Sequence, residues 1–183
     1  LGGTWSSRTI FDLRDALRQP DVKISNARTH DAEAIAAIWN PLIRDTTITF
    51  NNVEKSEESL HDMIMERQAA GYAFLLAQED GQLVGFSTYG QFRAGVGYAQ
   101  TMEHTVILSD AAKGTGVAAA LLDALEVHAK ARGAHSMLAG ISADNIAAVK
   151  FHAKAGYSQV GVIPQAGRKF DRWLDLILLQ KIL

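Results

Sequence analysis

Acid–base and anion-binding chemistry is concentrated in the second half of this chain. Glu103 interrupts the β-branched and apolar run Thr101-Met-Glu-His-Thr-Val-Ile-Leu108, and a carboxylate so placed can take a proton from a group held in front of it. His104 follows directly, but neighbours on a regular strand point to opposite faces, so the two share one cleft only if a bulge intervenes. The strand then runs through Lys113-Gly114-Thr115-Gly116 into a helix that opens at Val117-Ala118. The first turn of such a helix carries unpaired N–H groups and the positive end of the helix dipole, which together suit a phosphate or pyrophosphate. Gly114 and Gly116 allow close backbone approach, and Lys113 adds a cation. His152 lies on a later helical stretch opened by Asn145, a capping residue type. The remaining histidines, His30, His61, His128 and His135, show no metal-ligand spacing, and no metal is expected.

The glycine turn alone leaves three readings. It can be a tight strand-to-helix connection that holds nothing. It can be a dinucleotide fingerprint, since Gly114-Thr-Gly116-Val-Ala-Ala119 fits the pattern. Against this, the next strand ends in Ala139-Gly140-Ile141 with no acid for a ribose, and too little chain follows for a doubly wound sheet. A P-loop also fails, for want of a Gly-Lys-Ser/Thr after the glycines. The third reading is a loop for the pyrophosphate of coenzyme A.

The elements that must position these groups follow from hydrophobic periodicity. A short strand is predicted over 24–28. Asp31 then caps a helix whose inward face is Ala34, Ile35, Ile38, Trp39 and Leu42. Thr46 to Phe50 is predicted extended, and Ser56 opens a second helix with Leu60, Met63 and Ile64 inward and Gly71 past its end. Strands over 72–78 and 82–89 meet at the hairpin turn Glu79-Asp80-Gly81. A loop over 90–97 leads into a long strand over 98–108. A helix over 116–132, a strand over 136–141, a helix over 145–154 and strands over 158–162 and 172–179 complete the chain. The fold class is α/β (α+β), one domain over 24–183 with a mixed, mostly antiparallel sheet flanked by helices. Residues 1–23 read as an amino-terminal arm, with Ile10, Leu13 and Leu17 at helical spacing before Pro20.

Composition sets outer limits. The 183 residues are 48% apolar and 21% charged with a net charge of −2, so no general attraction for nucleic acid or an anionic membrane is expected. There is no cysteine, which excludes disulfides and thiolate chemistry, and no apolar run reaches the ~20 residues of a membrane helix. A cytoplasmic setting is expected.

The Lys113-Gly-Thr-Gly116-Val-Ala118 stretch resembles the coenzyme A loop of the GNAT acetyltransferases, with Lys at a position usually Gln or Arg. Asn145-Ile-Ala-Ala-Val-Lys-Phe-His152-Ala-Lys-Ala-Gly156-Tyr157 is similar to that family's second element, with His where Tyr is usual. Within the family the chain looks like the phosphinothricin and methionine sulfoximine acetyltransferase branch. The supporting stretches are Ile38-Trp39-Asn40, Thr46 to Phe50, Tyr98 to Val106 and Gly167 to Asp175. Ala99 departs from that branch, where Arg is common.

The resemblance implies acetyl-CoA as cosubstrate and direct attack by the amine of a small amino-acid-like molecule. Glu103 is then the base and His152 a candidate acid for the leaving thiolate. Val106, Ile107 and Leu108 offer backbone groups to the pantetheine arm, Lys113 to Ala118 bind the pyrophosphate, and Asn145 adds a further cofactor bond. Phe50, Phe92, Arg93, Tyr98 and His104 are the candidate substrate contacts, with Arg93 suited to a carboxylate or phosphinate. A homodimer is implied too, to which Ile10, Leu13 and Leu17 would add. The competing functions are acetylation of another amine (polyamine, aminoglycoside or protein amino terminus) and a non-catalytic acyl-CoA-binding module.

Overall fold

Phe74-Leu-Leu-Ala77 is apolar at every position, the pattern of a strand covered on both faces. The computed structural model, which describes residues 22–183, places it accordingly. Ile10, Leu13 and Leu17 lie outside the described residues. In chain order the strands are β1 (Lys23–Asn26), β2 (Phe74–Glu79), β3 (Gln82–Gln91), β4 (Thr101–Leu108), β5 (Ser136–Ser142), β6 (Ser158–Lys169) and β7 (Arg172–Ile182). The α-helices are α1 (Ala32–Asp45), α2 (Glu57–Ala69), α3 (Val117–Ala131) and α4 (Ile146–Lys154). The strands form one seven-stranded sheet in the order β1-β2-β3-β4-β5-β7-β6. Among the described residues, only the β4–β5 pairing is parallel. The expected mixed sheet is therefore observed.

Each face of the sheet carries its own core. Phe74, Leu76 and Phe86 meet Ile35, Trp39 and Ile43 of α1 and Leu60 and Ile64 of α2. Leu75, Ala77 and Met137 meet Leu121, Leu122 and Leu125 of α3 on the other face. Helix α2 (EESLHDMIMERQA) is polar over most of its surface. Its two fully buried side chains contribute about 1.5–3 kcal/mol each. The Ser56 hydroxyl fixes where it starts by accepting from the Ser59 N–H.

Several boundaries differ from expectation for identifiable reasons. The buried stripe of α1 is Ala32, Ile35, Trp39 and Ile43, so Ala34 is exposed and Ile38 and Leu42 are only half-buried. Asp31 caps backwards, accepting from the Arg28 N–H at 2.7 Å. Thr46 to Phe50 forms no strand. Thr46 bonds to the Leu42 carbonyl and accepts from the Ile48 N–H, and Thr49 accepts from the Asn51 N–H, so hydroxyls replace a ladder. Tyr98 lies in a 3₁₀ turn, and β4 begins only at Thr101. β6 outruns its predicted end because Phe170 and Asp171 both take positive φ (50° and 56°), closing a tight hairpin turn. β7 outruns its own because Gln180, Lys181 and Ile182 pair with Leu138, Met137 and Ser136 of β5. Extra residues between Ile163 and Gly167 are absorbed as a register shift opposite Leu176 and Leu174.

Candidate active site

Glu103 stands opposite Gly90 of β3 and beside Leu138 of β5. Strand alternation places it on the α1/α2 face together with Ile107, which packs into that core. His104, Val106 and Leu108 turn to the α3 face, where Val106 and Leu108 meet the other core. The Glu103 Oε1 lies 2.9 Å from where a Cβ on residue 140 would stand, so Gly140 leaves the space the carboxyl occupies. Although the side chain keeps access to solvent, the surrounding protein displaces enough water to raise its pKa above the ordinary carboxylate value, and Arg67 pulls it partly back. A base moved toward the working pH is better matched to proton abstraction.

β4 and β5 pair at only three positions, Thr101–Ser136, Met102–Met137 and Glu103–Leu138, and then part. β4 runs on to Leu108 and β5 to Ser142, so a notch opens beyond Glu103 with backbone groups along both edges. Val106, Ile107 and Leu108 border its β4 side, their side chains committed to the two cores. At the end of β4 a 3₁₀ turn (Asp110–Ala112) precedes the glycines. Gly114 and Gly116 have φ of +80° and +95°, and no atom lies within 4 Å of a Cβ built on either. The loop backbone is thus open in front, as an approaching pyrophosphate requires. Lys113 pairs with Asp110 at 2.5 Å on the surface, and the Thr115 hydroxyl donates to the Ala112 carbonyl. Val117 is fully buried, so what it and Ala118 can offer a ligand is backbone at the start of α3. Asn145 caps α4, its Oδ1 accepting from the Ala148 N–H at 3.1 Å.

The two histidines come together on the other face. His104 is 8% exposed and stacks on His152 with ring centroids 5.1 Å apart, Tyr157 standing edge-on to both. The β3–β4 register is continuous from Gly85–Leu108 to Gln91–Met102, so no bulge turns His104 toward Glu103. Burial, with a smaller effect of His152, lowers its pKa to about 3, and neither ring nitrogen has a partner. A substrate contact on the Glu103 face is therefore replaced by a place in the core. His152 Nδ1 lies 2.8 Å from the Ala148 carbonyl, which can only accept, so Nδ1 carries the proton. Nε2 is buried without a partner and carries the lone pair, and burial lowers the ring's pKa. At neutral pH this ring has no Nε2 proton to give, contrary to the acid role expected of it.

The candidate substrate residues fall in two places. Phe50 belongs to the α1–α2 connection, and its ring fills the space above Gly167, with Cε2 2.9 Å from a built Cβ. That connection is tied down by Lys169 Nζ to the Thr49 carbonyl (3.0 Å) and by the Thr47 hydroxyl to Asp144 (2.8 Å), just before α4. Phe92, Arg93 and Tyr98 lie on the β3–β4 connection. Gln91 Nε2 pins this loop through the carbonyls of Arg93 and Gly95, and the Arg93 guanidinium sits 5.9 Å from the centre of the exposed Tyr98 ring. One cation at Glu103 escaped the sequence reading. Arg67, in the last turn of α2, lies over Gly90, its Cζ 2.8 Å from a built Cβ. A basic residue near a helix C-terminus reads as a dipole partner, and only the strand register shows what it faces.

Among the described residues, no group of three or more His, Cys, Asp or Glu side chains is arranged to hold a metal, and no helix is long and apolar enough to cross a membrane. A family model described as an acetyltransferase (GNAT) domain matches residues 24–178. A Pseudomonas aeruginosa L-methionine sulfoximine/L-methionine sulfone acetyltransferase is 35% identical over 158 residues, covering 86% of this chain and 92% of its own. A phosphinothricin N-acetyltransferase of Alcaligenes faecalis is 31% identical, over 84% of this chain and 79% of its own. Among solved structures, a GNAT superfamily phosphinothricin acetyltransferase from Sinorhizobium meliloti in complex with acetyl-CoA superposes with a TM-score of 0.85. It is 25% identical and covers 88% of each chain.

Proposed function

The chain belongs to the GNAT acetyltransferase family, and from that premise we propose that it acetylates the α-amino group of a small amino-acid-like substrate, of the methionine sulfone, methionine sulfoximine or phosphinothricin type. The observation that carries the reading is Glu103 at the point where β4 and β5 part, its carboxyl raised in pKa and resting over Gly140. The residues present fit acetyl-CoA. Gly114 and Gly116 leave the loop backbone open toward a pyrophosphate, the start of α3 supplies N–H groups, and the notch edge at Val106 to Leu108 suits the amides of a pantetheine arm. Bound there, acetyl-CoA supplies an activated thioester.

Glu103 takes one proton from the incoming ammonium, because an amine without a lone pair cannot attack. Its position beside the notch holds amine and acyl donor in one place, so no protein nucleophile is required. His152, neutral with Nε2 as an acceptor, offers no proton to the leaving thiolate, and the attacking nitrogen itself has one to lose. Asn145 caps α4 and keeps its side-chain amide nitrogen for the cofactor. Phe50, Phe92, Arg93 and Tyr98, on the two connections flanking the site, are the proposed substrate walls.

A cytoplasmic, homodimeric enzyme completes this reading. The exposed apolar side chains Val160, Val162, Ile163 and Trp173 on the β6–β7 edge support a subunit contact. The test is coenzyme A release with a panel of substrates. L-methionine sulfone, L-methionine sulfoximine and phosphinothricin should be turned over, and spermidine, kanamycin and a peptide amino terminus should not. Turnover confined to the second group would overturn the reading.

A further inference from the structure

Resting on the amino-acid reading above, we infer that Arg67 is the residue that receives the substrate's α-carboxylate, so that Arg67 and Glu103 together recognise the two charged groups of one α-carbon. Gly90 and Glu103 are directly opposed across β3 and β4, and opposed residues project to the same face. The Arg67 guanidinium occupies the space a side chain at position 90 would fill, which puts it beside Glu103 on that face. It is close enough to act on the Glu103 charge, yet the two form no ion pair. Among the described residues no carboxylate pairs with Arg67, and its Nε is buried without a partner. A buried, unmatched donor beside a carboxylate is costly unless an acceptor arrives.

Substrate chemistry supplies that acceptor. The amino and carboxyl groups of an α-amino acid hang on one carbon, so the group that neutralises the carboxylate must adjoin the base that takes the amine proton. Arg67 meets that requirement and can donate in bidentate fashion. Arg93 is exposed and lies over Tyr98 on the neighbouring loop, a place suited to the far end of the substrate side chain.

The experiment compares L-methionine sulfone with its carboxamide, which keeps the amine and side chain but lacks the anion. Wild-type enzyme, Arg67→Gln and Arg67→Lys are assayed on the high-pH plateau, with melting temperatures recorded for each. Wild type should favour the acid. Arg67→Gln should lower kcat/KM for the acid about 10- to 100-fold, the range of a hydrogen bond to a charged group, mainly through KM. The carboxamide should change less than about threefold, and Arg67→Lys should fall between. Calorimetric titration of L-methionine sulfone into the coenzyme A complex should show the same loss of affinity. Equal losses for acid and carboxamide would overturn the assignment and make Arg67 a support for Glu103, with the amino-acid reading intact. Absence of wild-type preference for the acid would overturn it even if Arg67→Gln failed to fold. If wild type turned over neither compound, the substrate reading would fall, and this assignment with it.

Discussion

Glu103→Gln tests the chemistry most directly, because the amide keeps the shape that fits over Gly140 and removes only the basicity. General-base catalysis is worth about 10²- to 10⁴-fold, which corresponds to roughly 2.7–5.5 kcal/mol of transition-state stabilisation. The pH dependence follows from two groups. In wild type, kcat/KM should rise first through the Glu103 pKa, displaced upward by desolvation, and again as the substrate amine loses its proton near a pKa of roughly 8. In the variant the first rise disappears and the second remains, so the deficit is largest near neutral pH and shrinks above about pH 8. Stability separates this from damage to the fold. An acid whose folded pKa lies above its unfolded value loses stability as pH rises from the unfolded pKa through the folded one, so removing its charge should leave the melting temperature at pH 7 unchanged or raised. Acetyl-CoA affinity should hardly move. The assay is initial-rate coenzyme A release from pH 6 to 10 with a fixed amino-acid substrate. Full activity at neutral pH would refute the base assignment, and a uniform deficit at every pH would replace it with a positioning role.

Gly116→Val should raise the KM for acetyl-CoA strongly while kcat falls less, because a β-branched side chain would stand in the open space before the loop and resist a φ of +95°. Unchanged affinity in a folded variant would remove the loop from the cofactor site. His104→Leu should gain stability over wild type as pH falls from 6.5 toward 3, by up to about 1.4 kcal/mol per pH unit, since the unfolded chain binds a proton that the buried ring, with a pKa of about 3, does not. Parallel melting curves for the two proteins across that window would contradict the burial argument. Light scattering of the full chain and of a version starting at Asp21 should give a dimer in both if the β6–β7 edge is the contact, and a monomer in both would refute it.

Much of this protein was legible in the sequence because the signals were local. Asp80-Gly81 marks its hairpin through the positive φ its two residues adopt, and Ser56 and Asn145 mark helix starts through the N–H groups they cap. Gly114 and Gly116 mark the turn into α3 through the positive φ both adopt, with open space in front of each. The opposition of Glu103 and His104 across β4 is equally local, a consequence of strand alternation. The α1 stripe and the Thr46–Phe50 segment are less legible. Neighbouring apolar residues compete for the inward face, and threonine hydroxyls satisfy a backbone that β propensity would extend. Other features depend on residues far apart in the chain. The notch exists because β4 and β5, joined through a whole helix, pair for three residues and then diverge. His152 lost its expected proton-donor role through burial against His104 and through its bond to the Ala148 carbonyl. Arg67, 36 residues before Glu103 in the numbering, meets it only through the register that sets Gly90 opposite the carboxylate. Periodicity and capping act over one turn or one hairpin. Pairing register, burial and the proximity of charges belong to the assembled sheet, because they join residues that no local pattern connects.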